Sequence, residues 1–122
     1  MSTFNKLILS GSTNGRGIAV AATSTPGTTI HATGTSNTIL DEVWLYANNI
    51  HSAAVTLTVE FGGTTATSDL IQLAIPATPS GLYVVVAGLI LRGTGSAATT
   101  ITAFASVASK IEIFGFVNQI LP

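Results

Sequence analysis

The sequence predicts an all-β protein, an antiparallel β-sandwich of eight or nine short strands. Thr, Ser, Gly and Ala dominate while the helix formers Lys, Glu, Gln and Arg are scarce, and no window keeps a three-four repeat. A period of two recurs instead. Over residues 55–61 the odd-numbered positions are Val, Leu, Val and Phe, and the even-numbered ones are Thr, Thr and Glu. Turn-forming clusters separate such segments at the spacing typical of a sandwich or barrel.

The strands follow one another along the whole chain. Alternation or short apolar runs predict them at residues 4–9, 17–22, 28–32, 39–47, 55–61, 69–75, 82–91, 99–105 and 110–117. We expect a jelly-roll-like sandwich that occupies residues 1–122 as a single domain, because this length supports one continuous core but not two. The N-terminal strand or arm, about residues 1–16, is a candidate for contacts between subunits.

Two predicted strands are apolar on both faces. Residues 82–87 read Leu-Tyr-Val-Val-Val-Ala, and in the last strand Phe114 and Phe116 point away from Ile111 and Ile113. A two-layer sandwich covers only one face of each strand. A second covering surface, from a loop or from another subunit, is therefore expected on these strands.

Charge is scarce on this chain. Only 7% of its residues are charged while 47% are hydrophobic, against about 25% charged in an ordinary domain. A monomer of 12.4 kDa exposes roughly 6,000 Å², which leaves about one charged residue per 700 Å². Such a surface adheres to its own kind, so the composition predicts a homo-oligomer, an assembly subunit rather than a catalyst.

Composition also bears on other partners. The four basic residues are scattered, so no stripe exists to neutralise phosphates and nucleic-acid binding is not expected. The longest apolar stretch, residues 82–91, is about half of what a helix needs to cross a bilayer, so no membrane partner is expected. With no cysteine, the chain forms neither disulfides nor thiolate metal sites.

No catalytic, cofactor or metal site is predicted, and we expect no enzyme. The two histidines, His31 and His51, lack ligand spacing, and adjacent Asp41 and Glu42 point to opposite faces of a strand. No Gly-x-Ser-x-Gly elbow is present. The glycine-rich segment 11–17 lacks the Gly-Lys-Ser/Thr ending of a phosphate loop and leads into a strand.

The candidate binding residues fall into two groups. The first group is predicted to form subunit contacts. It comprises Tyr83, Val85, Phe114 and Phe116 from the two strands that are apolar on both faces, and Arg16, the only residue of the loop at 10–17 that could bind a carboxylate strongly. A different function class is suggested by Trp44 and Tyr46, which share one face of a strand and would suit a sugar-stacking platform.

Several segments together resemble small virion structural proteins of tailed bacteriophages. They are residues 6–18 (KLILSGSTNGRGI), 40–47 (LDEVWLYA), 60–65 (EFGGTT), 69–71 (DLI) and 115–118 (GFVN). The resemblance implies a capsid decoration or cement protein, made in the host cytoplasm, which forms trimers and binds the major capsid protein on the outside of the head. It carries over no functional residue. The alternatives are a tail, neck or fibre component of the virion, and a carbohydrate-binding β-sandwich module.

Overall fold

The computed structural model describes residues 3–122, and these residues form nine strands and no helix. The strands are β1 (Thr3–Ile8), β2 (Ile18–Ala19), β3 (Thr28–Ala32), β4 (Leu40–Asn49), β5 (Val55–Phe61), β6 (Leu70–Ile75), β7 (Tyr83–Leu91), β8 (Thr100–Ala105) and β9 (Ile111–Leu121). The all-β prediction is confirmed. Met1 and Ser2, the first residues of the predicted N-terminal arm, lie outside the described part.

Two antiparallel sheets build the sandwich. Sheet A has the order β1-β9-β4-β7, with β2 also paired to β9, and sheet B has the order β3-β8-β5-β6. Strands β1 and β2 pair with successive parts of β9, so together they act as one strand interrupted by a loop. Counted in this way, the molecule has the eight strands in two sheets of a jelly roll, as the sequence predicts.

The core lies between the sheets and is built by the period of two. In β4 every second residue is buried, and in β9 Ile111, Ile113 and Val117 are completely buried. Sheet B contributes Val55, Leu57 and Val59 from β5, together with alternate residues of β8. Burial of these aliphatic side chains is the main stabilising contribution to a fold without disulfides.

Two strands depart most from their predicted bounds. Strand β9 continues to Leu121 instead of ending at residue 117, because β1 pairs with it as far as Leu121 and β4 as far as Ile120. Strand β2 is confined to Ile18–Ala19 within the predicted 17–22, although the amide of Val20 still donates to the carbonyl of Ile111 at 2.9 Å. Pairing partners distant in sequence set both ends.

Strand β7, at the edge of sheet A, is irregular. Its register against β4 shifts twice, once between Val43 and Trp44 and once between Leu45 and Tyr46. At the first shift Gly88 is the extra residue, with a φ of 76° that favours glycine. Bulges of this kind bend an edge strand and limit further pairing along it.

Candidate interaction surface

Sheet A has an outward side that is largely apolar. We call the outward-pointing side chains of β1, β4, β7 and β9 the outer face of sheet A. Its apolar members, identified by register and alternation, are Phe4, Ile8, Leu40, Trp44, Tyr46, Val84, Ala87, Ile90, Phe114, Phe116 and Ile120. Of the eight large hydrophobic residues that are exposed in the described chain, four belong to it: Phe4, Ile8, Val84 and Ile90.

An aromatic group occupies the centre of this face. Register places Trp44 beside Phe116 and Tyr46 beside Phe114. The Trp44 and Phe116 rings are stacked, with centroids 6.0 Å apart and an interplanar angle of 11°, and the Lys6 ammonium lies 4.8 Å from the Phe116 centroid. Offset stacking and a cation above a ring are both favourable geometries. The aromatic side chains are thus held in fixed positions before any partner arrives.

The loop between β1 and β2 borders the aromatic group. Gly17 packs so closely on Phe114 that a Cβ at Gly17 would lie 2.7 Å from the ring Cζ. The loop closes on itself, because the Ser12 hydroxyl donates to the carbonyl of Arg16 at 2.6 Å. Arg16 itself is exposed. The polar loop and the outer face of sheet A therefore form one continuous surface.

Glu42 is the acidic group at the centre of this surface. Its carboxylate Oε1 accepts from Trp44 Nε1 at 2.8 Å and from Asn118 Nδ2 at 3.1 Å. These hydrogen bonds, first that of Asn118 and then that of Trp44, hold the pKa of Glu42 below its ordinary value. The row that crosses the sheet at this level runs Lys6, Asn118, Glu42. One positive and one negative charge thus flank β9.

The outer face of sheet B is richer in hydroxyl groups. It presents Thr29, Thr56 and Thr100 with a single aromatic residue, Phe104. On the same side of β5, Glu60 is buried beneath the loop between β2 and β3. The Glu60 carboxylate accepts from Thr25 Oγ1 at 2.5 Å, Gly27 N at 2.8 Å and Thr102 Oγ1 at 2.6 Å. Burial raises the pKa of Glu60, but these three donors outweigh burial and leave it lowered.

His31 and Asp41 meet between the sheets, a pairing that sequence spacing did not predict. His31 Nε2 lies 2.8 Å from Asp41 Oδ2, and His31 Nδ1 accepts from the Ser10 amide at 3.1 Å. Because Nδ1 accepts, the ring proton is on Nε2 and is donated to Asp41. Both nitrogens of this buried ring are engaged, so it is not available to activate a nucleophile or to bind a metal.

A hydroxyl-lined cleft lies next to Glu60, since Thr102 both lines the cleft and donates to the Glu60 carboxylate. Its volume is about 310 Å³, and its walls come from residues 62–64, Thr94 and residues 98–100 with Thr102. None of these residues is charged or aromatic. The Thr99 hydroxyl donates to the carbonyl of Arg92 and the Thr102 hydroxyl to Glu60. The cleft therefore lacks the charged and aromatic groups that commonly orient a ligand.

Some of the predicted contact residues lie on the outer face of sheet A, and others lie against the core or at the edge of the sheet. Phe114 and Phe116 lie on the outer face of sheet A, together with Trp44 and Tyr46, which the sequence suggested for a different purpose. Val85 is half-buried and packs against the core, and Tyr83 lies at the edge, opposite the inward-pointing Ala47. Lys6 and Ile8 belong to the N-terminal strand that the sequence predicts for subunit contacts, whereas Glu42 is not among the predicted contact residues. Only register shows that all three adjoin the aromatic residues.

Trp44 is poorly placed to stack on a sugar. Phe116 covers one side of the indole, the indole N–H is donated to Glu42, and a Cβ at Gly88 would lie 3.0 Å from its Cζ2. A glycan platform needs a free ring and free polar groups around it. The surroundings of Trp44 favour the packing of protein against this face.

No protein-family model, curated protein or solved structure matches the chain. Within residues 3–122, no group of three or more His, Asp or Glu side chains could hold a metal ion. The same residues include no helix with the length and hydrophobicity that a membrane crossing requires.

Proposed function

We propose that the chain is a virion structural protein, a capsid decoration or cement subunit that associates with copies of itself and binds the major capsid protein on the outside of a bacteriophage head. One observation carries the proposal: the outer face of sheet A is apolar and preorganised, yet a single chain leaves it uncovered. Monomeric proteins rarely expose continuous apolar patches larger than about 300–600 Å². A protein partner on this face is the simplest physical explanation.

Composition and resemblance support the assignment to a shell. The accessible surface is 6200 Å² and carries few charges, as the sequence predicts. Subunits of a symmetric shell touch several neighbours, and many weak contacts then add up because each one raises the effective concentration for the next. The jelly roll occurs in capsid and lectin domains alike, so the fold alone does not decide between them. The resemblance to phage virion proteins favours the capsid.

The candidate chemical groups support a role without catalysis. The buried His31 has both ring nitrogens engaged, and the Glu60 carboxylate already accepts three hydrogen bonds. Groups held in this way fix loops and sheets to one another. The loop with Arg16, which borders the aromatic face, is the part that we assign to the shell.

The experiment that tests this function counts copies on particles. Virions of the phage that encodes this chain are purified on a density gradient. The amount of the chain is then measured relative to the major capsid protein by mass spectrometry. We expect hundreds of copies per particle and the chain on the outer capsid surface in electron micrographs. A dozen copies or fewer would place it in the tail or neck instead, and absence from purified virions would refute a virion role.

A further inference from the structure

We infer that the outer face of sheet A is covered by the same face of a second copy of this chain, related by a twofold axis that runs along β9. This inference rests on the proposed function only for self-association. It assigns to that contact a twofold symmetry, in place of the trimer that the resemblance implies. The positions of Lys6 and Glu42 and the fit of the central apolar residues support this inference.

Two of the three charged residues on the face are complementary under this operation. Lys6 on β1 and Glu42 on β4 lie on opposite sides of Asn118 of β9 in one row, about 10 Å apart at two strand spacings, and within the described residues they form no ion pair with each other. The third, Glu112, lies on β9 near the opposite end of the strand and would face its own counterpart. A twofold axis along β9 exchanges the two sides, so Lys6 of each copy meets Glu42 of the other. The Lys6 ammonium and the Glu42 carboxylate of each copy then each form an ion pair with the other copy.

The apolar side chains fit the same operation. Phe116 lies on the axis and meets its own counterpart, while Trp44 on β4 meets Ile8, which lies on the other side of Phe116 in the same row. Ile8 is 54% exposed in the single chain. The Lys6 side chain, which lies over Phe116, is flexible enough to turn from the ring to the carboxylate of the second copy.

The axis also sets the size of the contact. It places β1, β9 and β4 of one copy over β4, β9 and β1 of the other, and β7 lies outside the contact. Three strands and the 11 residues of β9 correspond to about 14 Å by 36 Å, or about 500 Å². A standard interface buries about 800 Å² per partner, so we expect a weak dimer whose population depends on concentration.

Charge reversal tests the pairing. Sedimentation velocity is measured on the full chain, on Lys6→Glu, on Glu42→Lys and on an equimolar mixture of the two variants. Reversal at either position puts like charges opposite each other twice, so each variant alone is expected to dimerise at least about tenfold more weakly than the unsubstituted protein. In the mixture both contacts are attractive again, and we expect a heterodimer with restored affinity. Thr56→Glu, which changes the charge on the outer face of sheet B, is the control and is expected to dimerise normally.

Each result supports or overturns the inference. A wild-type protein that is monomeric or trimeric at high concentration, reversals that leave dimerisation unchanged, or folded variants that fail to associate when mixed would overturn it. Circular dichroism and thermal melting establish folding. Should Glu42→Lys unfold, Glu42→Gln keeps the acceptor of Trp44 and removes the charge, and a dimer as strong as that of the wild type would then overturn the inference. Copy number on virions is measured separately, so loss of the twofold contact leaves the virion assignment intact, and the reverse also holds.

Discussion

Glu60 shows how a single residue fixes part of this fold. Glu60 is 1% exposed, which would be costly for a charge without partners. Thr25 and Gly27 from the loop between β2 and β3, and Thr102 from β8, supply three donors. The charge therefore holds the loop against the outer face of sheet B.

Replacement of Glu60 by Gln tests this role. The folded-state pKa of Glu60 is lowered from its ordinary value of 4.5, so the ionised group stabilises the fold above that pH, and this stabilisation is lost as the pH falls through the folded value. We expect Glu60→Gln to lower the free energy of unfolding by about 1–3 kcal/mol at pH 7. The difference from wild type should shrink in acid, as measured by urea unfolding across the pH range.

Glu112→Gln provides the control for that experiment, since Glu112 lies on sheet A, away from the loop. It should leave the unfolding free energy almost unchanged at every pH. An equal loss of stability in both variants, or a Glu60→Gln deficit that does not vary with pH, would show that the charge of Glu60 is not what holds the loop.

At the scale of the element, strand β4 joins the two functions of sheet A. Its inward residues, among them Val43 and Leu45, are completely buried in the core, and its outward residues Glu42, Trp44 and Tyr46 form the middle of the exposed face. Neighbouring residues of the same strand therefore serve different purposes. One set stabilises the monomer, and the other is available to a partner.

Truncation of the two neighbours Leu45 and Trp44 separates these purposes. Leu45→Ala leaves a cavity in the core and is expected to cost about 2–5 kcal/mol of unfolding free energy. Trp44→Ala removes a larger side chain but only outward contacts, those with Phe116, Glu42 and Gly88, so we expect a smaller cost of about 1–2 kcal/mol together with weaker self-association. Chemical unfolding and sedimentation velocity measure the two effects. A Trp44 variant less stable than the Leu45 variant would contradict the outward role of the tryptophan.

For the whole molecule, the contrast between the two outer faces is the main feature. Sheet A turns a cluster of aromatic residues outward, whereas sheet B turns outward threonines, Phe104 and a loop held by Glu60. Water solvates hydroxyl groups well, and the free energy of the system falls when apolar surface is removed from water. The two faces therefore differ in polarity, and the proposed partner would bind sheet A.

A lysine placed on each face in turn tests this polarity. Ile8→Lys adds a charge to the exposed apolar surface beside Phe116, and we expect it to abolish self-association without loss of thermal stability, because Ile8 is exposed in the single chain. Thr29→Lys adds the same charge to sheet B and should leave self-association intact. Light scattering after size-exclusion chromatography distinguishes the two. The proposed polarity would be wrong if both lysines had the same effect.

The fold class and most strand positions were accessible from sequence because alternation is a local signal. The pattern at residues 55–61 gives strand β5 with the predicted bounds, and Phe114 and Phe116 point away from Ile111 and Ile113 as predicted. A period of two fixes which face of a strand each residue occupies. It does not fix which strand lies alongside.

The tertiary structure decided what lies beside what. Trp44 and Phe116 are stacked because β4 pairs with β9 in one particular register, and a shift of one residue would separate them. The contacts of His31 with Asp41 and of Glu60 with Thr25 likewise join segments distant in sequence. The sequence by itself therefore determined the class of fold and a surface short of charge. Only long-range pairing, which depends on the packing of the whole core, gathered the apolar residues onto one face with Lys6 and Glu42 on either side of β9.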